Sequence, residues 1–212
     1  MKPSARIKTL IVVAGLAAAV IAGATYAFWS TAMEHVNELG SDTVSAEIKE
    51  TFDQGTAPDG TVTKKVSFRN SGSASAFLRI SYVESWTSGS GDEKQLLSNT
   101  ADGTDVAEKN WTAFFRDTAN WEKGSDGWYY YRKLLPPGES TRDILDSVTF
   151  PGYSGKYKEY GNADYELYFR MELLQASDSR STLNSDEVNE QAGRTVFGRK
   201  ASLDADGTVT WE

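Results

Sequence analysis

The side chains able to do chemistry are few and far apart. The chain has one histidine, His35. It lacks the H-E-x-x-H arrangement that seats zinc on one helix face. A Ser-His-Asp relay would also have to take its base from His35, in a leading arm that is a poor place for a general base. There are no cysteines, which removes thiol nucleophiles, thiolate zinc sites and disulfides. Asp204-Ala205-Asp206-Gly207 begins as a calcium loop begins, but no glutamate stands at the distal ligand position. A turn between two short strands is the better reading, and Asp102-Gly103-Thr104-Asp105 is a weaker case of the same kind. Trp128-Tyr129-Tyr130-Tyr131 could stack on a sugar. Strand alternation puts Trp128 and Tyr130 on one face and Tyr129 and Tyr131 on the other, so one pair belongs to a core. This inventory predicts neither enzyme, metal nor cofactor, and moves attention to surfaces.

The chain starts with a signal-like layout. Lys2, Arg6 and Lys8 precede an uncharged run from Leu10 to Ala24. Thr25-Tyr26-Ala27 then sets small residues at the −3 and −1 positions of a cut that would free Phe28. The apolar run is shorter than the roughly 20 residues that span a bilayer core. An uncleaved anchor is the alternative. The whole chain has 22 Lys and Arg against 30 Asp and Glu, and the leader carries only positive charges, so the remainder is more acidic still. Such a chain repels nucleic acid. The reading is a secreted protein of the extracellular matrix or cell surface.

The expected domains are a leader over 1–27, an arm over 28–43 and a β domain over 44–212. In the arm, Phe28 and Trp29 come first, and Ala32, Val36 and Leu39 follow at helix-like spacing. From Val44 the pattern is β. Val44, Ala46 and Ile48 alternate with polar residues, as do Val62, Val66 and Phe68 within 61–69. Further strands are expected over 76–86, 111–121, 127–135 and 144–150. The longest lies over 163–176, with Tyr165, Leu167, Phe169, Met171 and Leu173 on one face. A polar surface excursion is expected over 87–110. One short helix is expected over 181–192, N-capped by Asn184 or Ser185 and ended by Gly193. The fold class is all-β: an antiparallel β-sandwich, jelly-roll-like or immunoglobulin-like in topology.

Ordered blocks along the chain carry a resemblance. The leader ends Ala24-Thr25-Tyr26-Ala27-Phe28-Trp29-Ser30. Lys64-Lys65-Val66-Ser67-Phe68-Arg69-Asn70-Ser71-Gly72-Ser73 leads into Phe77-Leu78-Arg79-Ile80. Gly127 to Thr141 then precedes Leu145-Asp146-Ser147-Val148. Together they resemble the exported proteins handled by a SipW-type signal peptidase, the TasA/camelysin group of biofilm matrix proteins, and within it the BsaA-type branch. The resemblance implies a jelly-roll-like domain, secretion from a Gram-positive cell, and a homo-polymer. In such a fibre the arm of one subunit (Phe28, Trp29, Ala32, Val36, Leu39) adds as a strand to the next, with or without a second matrix protein. Otherwise the arm folds back on its own domain. Two other functions stand beside it: an adhesion or glycan-binding module, favoured if Trp111, Trp121 or Trp128 is exposed, and a metal-dependent protease, which needs carboxylates clustered near His35.

Overall fold

In the computed structural model, residues 44–52, 60–89, 91–177 and 185–212 are described. They form an antiparallel β-sandwich. In chain order the strands are β1 (Ala46–Phe52), β2 (Gly60–Asn70), β3 (Ala76–Ser88), β4 (Gln95–Leu97), β5 (Thr100–Ala101), β6 (Thr104–Asp105), β7 (Glu108–Trp111), β8 (Trp121–Lys123), β9 (Tyr129–Tyr131), β10 (Leu145–Phe150), β11 (Asp164–Gln175), β12 (Ala201–Leu203) and β13 (Val209–Trp211). A single helical turn, α1 (Ala113–Arg116), follows β7, and α2 (Ser185–Val196) precedes β12. Sheet I has the order β1-β2-β10-β7; sheet II has β11-β3-β9-β8, with β4 also on β3.

These pairings explain the jelly-roll character. A jelly roll folds an eight-stranded ribbon so that the second strand meets the second-to-last, the third meets the third-to-last, and wrapping adds further neighbours. Counting the eight sandwich strands β1, β2, β3, β7, β8, β9, β10 and β11, the contacts β2–β10, β10–β7, β11–β3 and β3–β9 are those of that ribbon. The first and fifth strands depart from it. β1 pairs with β2, and β8 with β9, each as a hairpin.

The core follows from period-two burial. Leu78, Ile80 and Trp86 of β3 and Leu167, Phe169, Met171 and Leu173 of β11 face Val66, Phe68, Leu145 and Val148 of sheet I. The expected inward set of the longest strand is found there, with Tyr165 partly buried at its end. Sheet II is covered on its other face too. Phe77, Tyr130 and Leu174 pack against Phe197, Ala201, Val209 and Trp211 from the C-terminal segment, and Trp211 Nε1 donates to the Tyr131 carbonyl at 3.0 Å. Tyr129 and Tyr131 thus serve one core and Tyr130 the other. The alternation is as expected, but both faces are core rather than one.

Four expectations need correction. Residues 111–121 are not one strand. Thr112 accepts a hydrogen bond from Phe115 N at 3.2 Å and caps α1, and the successive residues Phe114 and Phe115 are both buried, which an alternating strand with one buried face does not allow. Within 127–135 only β9 is regular; beyond it the chain changes partners, with isolated bridges from Lys133 to Thr208 and from Leu135 to Ala76. The 87–110 excursion is folded: β4 pairs back on β3, and β5 and β6 form a tight hairpin whose Asp102 and Gly103 have φ of 50° and 73°. Two positive values suit the right-handed twist of a two-residue hairpin. Gly193 does not end the helix. It lies inside α2, where an added Cβ would sit 2.6 Å from the Arg199 carbonyl oxygen. Glycine is there for close packing on β12.

Candidate assembly edges and the inter-sheet ion pair

The cleavage residues Thr25, Ala27 and Phe28, the arm residues Phe28, Trp29, Ala32, Val36 and Leu39, and His35 all lie outside the described residues. The description starts at Val44, which is buried and runs straight into β1. The arm is therefore contiguous with an edge strand.

Two long edges lie on that side of the sandwich. Among the described residues β1 pairs only with β2. β11 pairs only with β3, in unbroken register from Asp164↔Thr87 to Gln175↔Ala76. Parts of β1 and β11 come within 8 Å of each other, measured between Cα atoms. In a closed jelly roll the first and last strands would pair; here each leaves one row of backbone groups without a strand partner among the described residues. Such rows are templates for strand addition.

On the other side β7 and β8 also pair on one edge only among the described residues, but they are short. β7 has four residues and β8 three, and the chain leaves β7 into α1. Thr112 N–H donates to the Ile144 carbonyl at 2.9 Å, and its hydroxyl to the Asp143 carbonyl at 2.8 Å.

The described tryptophans form no open platform. Trp121 is buried. Trp111 is half-buried, with ring centroids 4.8 Å from Tyr82 and 5.0 Å from Phe115. Trp128 lies under the guanidinium groups of Arg79, at 4.4 Å, and Arg170, at 5.4 Å. Asp126 anchors the same hairpin. It accepts from Tyr130 OH at 2.6 Å and Trp128 N–H at 3.1 Å. Burial works against its charge, but these bonds win and hold the carboxyl below its usual range. Asp204 to Gly207 is a turn between β12 and β13, as expected, with Asp206 accepting from Thr208 N–H at 3.0 Å. No group of three or more His, Cys, Asp or Glu side chains able to hold a metal occurs among the described residues. No helix there is long and apolar enough to cross a membrane.

One cluster escaped the sequence reading. Lys109 of β7 reaches across the sandwich to Glu84 of β3. Its Nζ donates to Glu84 Oε1 at 2.7 Å and Oε2 at 2.9 Å, and to Asp105 Oδ2 at 3.0 Å. Tyr165 OH donates to Glu84 Oε2 at 2.9 Å. The available signal was Glu84 itself, a carboxylate at an inward position between Tyr82 and Trp86 of an apolar face.

No protein-family model matches the chain, and no curated protein matches it.

Proposed function

We propose that this chain is an exported structural subunit of an extracellular matrix or cell surface, and that it polymerises with copies of itself. The reading takes the leader as a signal cut after Ala27 by a SipW-type peptidase. The freed arm, residues 28–43, then adds as a strand to a neighbouring copy. The resemblance to the TasA/camelysin group supports this. One structural observation carries most of the weight: the two longest edges, β1 and β11, lie beside each other where the arm enters the domain. The arm is longer than either edge, so an extended arm has the reach to pair along one of them. Backbone hydrogen bonds would supply affinity, and alternate side chains specificity.

Engineered cysteines test the pairing cleanly, because the chain has none of its own. Single cysteines at Ala32, Val36 or Leu39 are mixed with a separate variant carrying Arg170→Cys on β11 or Lys49→Cys on β1. The reading expects disulfide-linked dimers between the two variants for at least one arm position. Crosslinks forming only when both cysteines share one chain would show that the arm folds back.

A further inference from the structure

Lys109 and Glu84 are an unusual pair for a sandwich core. The Lys109 side chain is 5% exposed and that of Glu84 13%. They join opposite sheets, since β3 lies in sheet II and β7 in sheet I. Aromatic residues surround the contact: Tyr82 and Trp86 flank Glu84 on its own strand, Trp111 stands two residues after Lys109, and Tyr165 bonds to the carboxylate. The Tyr165 hydroxyl stays a donor. Its burial, with the Glu84 charge beside it, pushes its ionisation far above the usual phenol range. Asp105 differs from its neighbours in being 56% exposed, so it can exchange protons with water.

We propose that Lys109 and Glu84 condense into an intramolecular isopeptide bond that ties the two sheets together. Each component the reaction needs is in contact. Lys109 Nζ is the nucleophile. Glu84 is the electrophile, with Oε2 held by the Tyr165 hydroxyl, which stabilises negative charge on that oxygen as the carbon becomes tetrahedral. Asp105 is the proton relay. A fixed contact removes the entropic cost of encounter. The Lys109 ammonium passes one proton to Asp105, the resulting amine attacks Cδ of Glu84, and nitrogen gives up its second proton after the attack. The N–C bond forms, and the bond from Cδ to Oε1 breaks. The departing oxygen takes up both protons released from nitrogen and leaves as one water. Asp105 ends as it began, and no oxidant, metal or cofactor is used. In a chain without cysteine, this bond would do the work that a disulfide does elsewhere: it restrains the unfolded chain. It stands whether or not the chain polymerises.

Intact-mass measurement of the purified protein tests this directly. The expected mass is one water below that of the sequence after any leader is removed. Trypsin should then yield a branched species in which Ile80–Lys94 is joined to Gln95–Arg116, with no cleavage at Lys109. Lys109→Arg and Glu84→Ala should each restore the full sequence mass, and Asp105→Ala should slow bond formation or abolish it. Wild-type protein at full sequence mass would overturn the proposal. So would a lost water mapping within Gln95–Arg116 alone, whether from a Lys109–Asp105 bond or from a succinimide at Asp102-Gly103.

Discussion

On one side of the sandwich the sheets end in strands of seven and twelve residues, β1 and β11; on the other they end in strands of four and three, β7 and β8. Local devices cut the short edges off. The helical turn α1 leaves the end of β7, and Thr112 bonds into the loop before β10. The long edges have no such device among the described residues. They arise because β1 turns back on β2 instead of pairing with β11, so the jelly roll does not close there. A short strand offers few backbone groups to a partner, whereas a twelve-residue edge offers a full strand of them. The difference is one of length: the long edges offer more unpaired backbone groups than the short ones.

The comparison can be strained at several points. The largest expected effect is at the core beneath the long edge. Phe169 of β11 lies with its ring centroid 6.1 Å from Tyr82, 6.2 Å from Phe68 and 6.3 Å from Trp111. If the open side is held by core packing alone, Phe169→Ala should cost about 3–5 kcal/mol, read by urea unfolding. A much smaller loss would mean that something other than packing secures β11. Next comes the short-edged side. Thr112→Ala removes both the cap of α1 and the hydroxyl bond to Asp143, and should cost about 1 kcal/mol. Its hydrogen exchange should speed up in β7 and β10 and stay unchanged in β11; equal acceleration in both places would erase the distinction between the sides. The smallest effect is expected at Val83, 60% exposed and paired across from Tyr168 of β11. Val83→Ser should move stability by less than about 0.5 kcal/mol, and a larger loss would show that this surface is covered.

The legibility of these regions followed their burial. β3 and β11 could be bounded from the sequence because each has a face in the inter-sheet core, so apolar residues recur every second position. Trp111 to Trp121 defeated the same rule. Its aromatic residues suit a strand by composition, yet Thr112 caps a helical turn there and Phe114 and Phe115 enter the core together. The 87–110 segment read as open surface because strands of two or three residues are too short to show a period. Its one clear signal is the turn chemistry at Asp102-Gly103, where the calcium-loop reading is weak. The C-terminal cover on sheet II was half legible. The turn at Asp204 to Gly207 was seen, but not that Trp211 closes a second core behind it. As for the sites, the arm and the cut are sequence expectations throughout, whereas the Lys109–Glu84 contact needed the topology, since only the fold brings β7 across from β3.

Electron microscopy of two matched preparations tests the central claim most directly: the chain beginning at Phe28 and the chain beginning at Val44, each checked for β structure by circular dichroism. The account predicts fibres from the first and dispersed, folded particles from the second. Fibres of the same form and growth rate from the chain beginning at Val44 would contradict it.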